Sequence, residues 1–440
     1  MYVTRPLSQY LADPNAAAEP PPEGPGSGFL VVVDETGETA RTRCWGLCVD
    51  REMRGLPFPQ NRQLALRPNT SPDTLESCAT FVDCLSEVVG SLTDVDSGSA
   101  PGSKAAKIPD YAMLVPVIGQ PLSSGRYYVV KADGKYRGMV SACSKEEDKT
   151  TCCCCFSCIN DVKPRSFDRG DVYQQVEVQQ LPSGNKGFKA VAVATDGIPP
   201  DYLRKKGWKV NTMKSPEYDL TADAQGVDSA LRRQMPDLES LSIGVKNSSP
   251  VVVGKWYVPF MFVKADSMFV KAGGCFVKSD GKLSLKDQSR KCMFYEMTME
   301  QSWEKICSRE AEGTNHPAEV VLTATVRRST VVLDGTRVVP REDSGAVWFE
   351  AAGDTTTTLG LDMVVWERMR WELERGDYWV APVNGDEERI ERVERCDGLG
   401  QWHKFACYVL VERFVLKRMD GSLALTCEFR HTDKIKAKWL

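Results

Sequence analysis

Cys152, Cys153, Cys154, Cys155 and Cys158 place five thiols in seven positions, the densest concentration of reactive side chains in the chain. Cys152, Cys155 and Cys158 form C-x2-C-x2-C, the opening of an iron–sulfur or zinc ligand set. The ferredoxin pattern would place a fourth thiolate at 162 with proline behind it. Val162 and Lys163 stand there instead, which argues against a cluster. Cys143 or a more distant cysteine could complete a tetrahedral zinc site, so the candidate metal ligands are Cys152, Cys155, Cys158 and Cys143, with zinc the candidate cofactor.

Three other chemistries compete for the same run. Lys145, Lys149, Lys163 and Arg165 could hold adjacent thiols at an anionic surface for acylation. The same lysines could lower a thiol pKa for redox work. The plainest reading is packing: in an extended run Cys152, Cys154, Phe156 and Cys158 face one way, while Cys153, Cys155 and Ser157 face the other. That structural reading is preferred here.

Other catalytic constellations are missing. "SDGKLS" offers Gly281-Lys282 without the glycine and hydroxyl residue that make a P-loop, and there is no GxGxxG, HExxH or GxSxG. Three histidines occur, His316, His403 and His431, too few for a histidine-rich metal site. His403 and His431 read as satisfied polar residues of a β region. Trp348, Phe349, Trp366, Trp371, Trp379 and Trp402 could line a groove, but core and edge packing is the simpler use of them. No catalytic residue is assigned, and the chain is expected not to be an enzyme.

Composition sets wider limits. The chain has 440 residues, 42% hydrophobic and 26% charged, with a net charge of −4. That is ordinary globular composition, long enough for two or three cores, with no global field to draw it to nucleic acid. "MYVTRPLSQYLADP" lacks the apolar segment of a secretory signal, and no run approaches the roughly 18 apolar residues of a spanning helix. A cytoplasmic location is expected, with the nucleus open, and the sixteen cysteines should be mostly reduced. The basic tail "KIKAKWL" reads as a solvated terminus.

The elements that must position these residues are mostly strands. Residues 1–28, ending in "EPPPEGPGSG", read as an extended arm. Residues 29–240 form a first β-rich module, with a helix near 74–89 and a flexible insertion at 94–107. Asp133-Gly134 and Ser183-Gly184 mark hairpins, and a helix is predicted over Ala222–Met235. Residues 250–440 form a second β-rich module, where Pro259 implies an edge or bulge. There "RKCMFYEMTMEQSWEKICSRE" (Arg290–Glu310) reads as the longest helix, and Leu359, Leu361, Met363 and Val365 alternate as a strand. The clearest hairpin is "CYVLVERFVLKR" and "SLALTCEFRHT" about Asp420-Gly421. The fold class is α+β, predominantly antiparallel β: two β-rich modules with a few helices and a C-terminal β-sandwich-like region. "GRYYV…KAD" from Gly125 and "GKWYV…KAD" from Gly254 echo each other weakly.

Several islands carry a family resemblance: "MYVTRPLS", "PPPEGPGSG", "LPFPQN", "QPLSSGRYYVV", "SKEEDKTTCC", "INDVKPRSFD", "GKWYVPF", "MFYEMT" and "CYVLVERFVLKRMDGSLALT". With them the chain resembles the plant family catalogued as domain of unknown function 1262. The resemblance implies an intracellular plant protein associated with stress or defence responses. Some members carry a label likening them to an insecticidal crystal toxin. It implies no catalytic residue and no cofactor. The leading expectation is non-enzymatic binding of an unknown protein partner or small ligand, without specific nucleic-acid binding. A membrane-acting, toxin-like protein making peripheral contact and a thiol or zinc protein built on 152–158 are the alternatives.

Overall fold

The computed structural model describes residues 1–22, 24–34, 41–43, 48–68, 109–152, 156–182, 187–213, 218–265, 270–272, 275–277, 284–311, 319–351, 357–377, 387–396 and 402–440. The helix expected at 74–89 and the insertion at 94–107 lie outside them. Residues 1–28 are not an extended arm. They hold β1 (Tyr2–Pro6), α1 (Leu7–Ala12) and a 3-10 turn at Pro14–Ala18, and Met1, Tyr2, Val3 and Thr4 are buried. The prolines and glycines that suggested an arm are confined to 20–28, beyond these elements.

The chain divides into two compact units. One comprises Met1–Arg5, Pro21–Phe29 and Glu217–Leu440; the other, Pro6–Pro20 and Leu30–Pro216.

The Leu30–Pro216 unit is built on a seven-stranded sheet. Its strands are β2 (Glu52–Met53), β3 (Gln63–Arg67), β4 (Asp110–Pro116), β5 (Arg126–Lys131), β8 (Gln175–Gln180), β9 (Phe188–Ala192) and β10 (Lys209–Met213). A separate pair, β6 (Lys149–Cys152) and β7 (Phe156–Ile159), comes between β5 and β8 in sequence, and a short helix, α2 (Asp201–Arg204), precedes β10. The sheet order is β9-β8-β5-β4-β3-β10-β2, every neighbour antiparallel. β8 and β9 pair from Val176↔Ala192 to Gln180↔Phe188, as the expected hairpin requires, while Ser183-Gly184 lies outside the described residues. Asp133-Gly134 makes a wider turn than a hairpin, closed by a Val130↔Val140 bridge and by backbone bonds from the Lys131 N–H to the Met139 carbonyl and the Gly138 N–H to the Lys131 carbonyl. The core gathers Phe58, Leu64, Tyr127, Phe188 and Trp208, all at most 1% exposed. The Phe58 and Phe188 rings meet edge to face at 5.0 Å, the preferred arrangement of aromatic quadrupoles.

The other unit carries the long strands. In chain order they are β11 (Gly226–Val227), β12 (Val251–Pro259), β13 (Val263–Ala265), β14 (Phe294–Glu310), β15 (Glu319–Arg327), β16 (Ser329–Leu333), β17 (Thr336–Val338), β18 (Arg341–Asp343), β19 (Ala346–Ala351), β20 (Thr357–Asp362), β21 (Glu387–Arg395), β22 (Lys404–Arg418) and β23 (Leu423–Trp439). A large antiparallel sheet runs β1-β12-β14-β22-β23-β16-β17, with β11 beside β12. A four-stranded sheet runs β13-β20-β19-β18, and β15 pairs with β21 as a two-stranded ribbon.

Four expectations need correction here. Arg290–Glu310 is not a helix: only α4 (Leu285–Lys291) is helical, and Phe294–Glu310 is a strand paired on both sides. Met and Glu favour helices, but Tyr295, Met297, Met299, Gln301 and Trp303 alternate with Glu296, Thr298, Glu300, Ser302 and Glu304. That period of two outweighed propensity. The helix over 222–235 shrinks to α3 (Ser229–Gln234), because Gly226 sits at φ 84 and the Asp228 carboxylate caps Ala230 and Leu231. Met363 and Val365 belong to α5 (Met363–Arg375), which the Asp362 side chain starts by accepting from the Val364 N–H. Pro259 ends an interior strand, one that pairs with both β1 and β14.

The hairpin at Asp420-Gly421 is present, with Gly421 at φ 80. β22 is buried along Phe405–Val411 on both faces, which explains why its apolar run does not alternate.

Candidate functional site

The densest buried chemistry in the described residues lies on β22, where Glu412 and Arg413 interrupt the run "YVLV…FVL". Alternation sends Glu412 to the face of Leu410 and Tyr408. There its carboxylate is 1% exposed. Arg232 of α3 grips it with both arms of its fork: Nε donates to Oε1 at 2.8 Å and Nη2 to Oε2 at 2.7 Å. Gln301, directly opposite on β14, donates to Oε1 at 2.9 Å. His431 Nε2 of β23 lies 3.0 Å from Oε2.

The cluster extends through α5. Arg232 Nη1 donates to the Glu372 carbonyl at 2.9 Å. Arg368 Nη2 donates to Glu372 Oε1 at 2.6 Å, and Arg375 Nε donates to Oε2 at 3.1 Å. Arg368 Nε also donates to Ser27 Oγ at 2.9 Å. Its guanidinium lies 4.4 Å from the Trp371 ring centroid, a cation–π contact. Gly376 leaves the room for this: a Cβ there would stand 2.0 Å from Arg232 Nη2.

The electrostatics divide the two carboxylates. Burial alone would raise Glu412, but Arg232 and His431 outweigh it and hold the carboxyl at about 2. Burial of Glu372 outweighs Arg368 and Arg232, so its carboxyl sits above the ordinary range. Burial lowers the Arg368 guanidinium. A carboxylate held at about 2 by a bidentate arginine is a weak base at neutral pH, and general acid–base catalysis needs a group near the working pH. The geometry is that of a fastening: α3 and α5 are tied to three strands of the sheet through one carboxylate.

A smaller polar cluster lies in the Leu30–Pro216 unit. Lys131 Nζ is 2.9 Å from Asp110 Oδ1 and 3.8 Å from the Tyr202 ring centroid. The Tyr202 hydroxyl meets Ser141 Oγ at 2.8 Å. Burial keeps that phenol well above its usual range, so it stays neutral.

The cysteines expected to bind metal fall in different settings. Cys143 packs with Leu114, Val129 and Trp208 in the apolar core, and burial pushes its thiol up to about 12. Cys152 and Cys158 take positions in the β6–β7 pair, where the register sets Cys152 against Phe156 and Cys158 against Thr150. Cys155 lies outside the described residues, as does His316. Among the described residues no group of three or more His, Cys, Asp or Glu side chains is placed to hold a metal ion.

Of the aromatic set, Phe349, Trp366 and Trp402 are buried, while Trp348 and Trp371 are half-buried and Trp379 is outside the described residues. His403 is exposed. The "KIKAKWL" tail is not a solvated terminus. It forms the end of β23, and Lys438 Nζ donates to the carbonyls of Leu238 at 3.1 Å, Leu241 at 2.8 Å and Glu239. Sequence reasoning missed Arg232, Glu372 and Glu412. The one available signal was a charge pair set inside an otherwise apolar strand.

Among the described residues no helix is long and apolar enough to cross a membrane. A search of curated proteins finds no match. Among solved structures, the crystal structure of Cry35Ab1 is similar over 87% of this chain and 90% of that chain, at 10% identity and a TM-score of 0.42. That likeness is too low to carry an argument about function. Residues 23–154 match the model of the family described as protein of unknown function (DUF1262). Over that span the chain is similar to the family that its sequence islands resemble.

Proposed function

We propose that this chain is a non-enzymatic binding protein, acting through its surface on a protein partner or small ligand, in the stress or defence setting that the family resemblance implies. One observation carries the reading. The strongest acid–base cluster, Glu412 with Arg232, Gln301 and His431, is spent on the fold itself, every member at most 8% exposed. A substrate would have to displace Arg232 from both carboxylate oxygens to reach it. Native mass spectrometry of the chain isolated from its own tissue tests this, with a stoichiometric partner or ligand the expected result. Turnover of any substrate that Glu412→Gln or His431→Gln abolishes while thermal stability is unchanged would overturn it.

A membrane-acting role is the second reading, favoured by the nine-residue β15, whose buried Val320, Leu322 and Val326 alternate with exposed Glu319, Val321 and Thr323. Nine residues suit a membrane-crossing strand. Its partner weakens the reading, since the row of β21 that contains Ile390 also holds Glu388, Arg392 and Glu394. Failure to co-sediment with liposomes of neutral and anionic lipid would remove it.

A further inference from the structure

The Lys404 end of β22 holds a second concentration of reactive groups, away from Glu412. Three described thiols, Cys307, Cys396 and Cys407, gather in one apolar cluster with Leu322, Trp402 and Phe405. The ladder sets Cys307 of β14 directly against Cys407 of β22. Directly opposed residues of antiparallel strands share a face and have Cα atoms about 4.5–5.5 Å apart. A disulfide accepts Cα separations of about 4.4–6.8 Å, so the pair lies inside its range. Both thiols are free in this structure, Cys407 buried and Cys307 half-buried. The register shifts between Lys305 and Cys307, leaving Ile306 as an extra residue immediately before the pair. A bulge loosens the ladder locally, which eases the small approach that bonding requires.

We propose that Cys307 and Cys407 are a redox-modified pair that closes into a reversible cross-strand disulfide when a hydroperoxide reaches Cys307. Cys307, the more accessible thiol, attacks the peroxide as its thiolate. An S–O bond forms, the O–O bond breaks, and Cys307 sulfenic acid and an alcohol (water, from hydrogen peroxide) are released. Cys407 sulfur then attacks Cys307 sulfur, and the hydroxyl leaves with the Cys407 proton as water. Two thiols and one hydroperoxide thus give one disulfide, one alcohol and one water, with two electrons passing from sulfur to oxygen. Two equivalents of a small thiol reverse the change. Burial, with Glu394 and Cys307 nearby, pushes the Cys407 thiol up to about 12, which argues against its making the first attack; its part in the second step rests on its place opposite Cys307.

The test treats the full chain with hydrogen peroxide, blocks remaining thiols under denaturing conditions, digests without reduction and maps linked peptides by mass spectrometry. The expected result is a dithiothreitol-sensitive link between the Cys307 and Cys407 peptides. It should exceed any other pairing by roughly tenfold, because the two sulfurs are held at high effective concentration. Cys292 and Cys427, both buried, should remain reduced. Cys396→Ser should leave the link intact, and Cys307→Ser, with circular dichroism to confirm its fold, should leave Cys407 reduced. Cys307 found as sulfinic acid beside a reduced Cys407, or linked to Cys396, would overturn the proposal.

Discussion

The two units fill their interiors with different material. The Leu30–Pro216 unit centres on aromatic rings, Phe58, Tyr127, Phe188 and Trp208. A fully buried polar group there, Gln60, is satisfied by backbone: Nε2 donates to the Phe58 and Leu114 carbonyls and Oε1 accepts from the Val31 N–H. The other unit buries two carboxylates and two arginines outright. An apolar core stabilises by area removed from water and is indifferent to pH. A buried ion network adds little net stability over an apolar replacement, but breaking it leaves a charge stranded. One unit should therefore fail by losing volume, the other by losing a partner.

The largest effects should come from the two cores. Arg232→Met strands Glu412 and should cost about 3–5 kcal/mol, with hydrogen-exchange protection lost across residues 217–440 and retained in 30–216. Trp208→Ala should cost about 3–5 kcal/mol through the cavity it leaves, with the reverse pattern of protection. Protection falling equally in both units after either change would erase the distinction.

Acid sharpens the same contrast. Glu412 is held below its ordinary 4.5, at about 2, so its stabilisation is full above about 4.5 and disappears as pH falls toward 2. Glu372 is raised, so its own contribution is greatest below the ordinary range and declines as pH rises through its elevated value. Denaturant unfolding followed over that window should weaken in the Glu412 unit, and Glu412→Gln should remove most of the slope. A slope unchanged in Glu412→Gln would contradict the assignment.

Lys438→Met removes the donor to three carbonyls and should cost about 1–3 kcal/mol, read as faster exchange in residues 238–241. Arg389→Ala breaks an ion pair with Glu391 whose side chains are 69% and 60% exposed. It should shift stability by no more than about 0.5 kcal/mol.

The legible parts of this fold were those whose information is local. The β22–β23 hairpin could be read because two strongly β-forming runs flank Asp420-Gly421. β14 was misread because Met and Glu pulled toward helix while the alternation was spread across polar as well as apolar types, Gln301 counting among the buried row. The ion cluster was illegible for a different reason. Arg232 and Glu412 are 180 residues apart, and each alone looks like an ordinary surface charge. Only the register Gln301↔Glu412 and the placement of α3 bring the partners together. The cysteine run drew attention through its density, whereas the Cys307–Cys407 pair is two single cysteines a hundred positions apart.

The central place of β14 also shapes how the chain is made. β12 lies earlier in sequence and can pair with β14 at once, but the other edge of β14 belongs to β22, which begins at Lys404. At about 5–20 residues per second, a ribosome needs roughly 5–20 s to make the intervening segment. Through that interval the nascent sheet presents β14 with an open row of backbone groups beside Tyr295, Met297 and Met299. Once residues 404–439 emerge, β22 and β23 can close on each other within microseconds and cap that edge as a pair. Translation stalled between the two strands would leave this protein in its most aggregation-prone form.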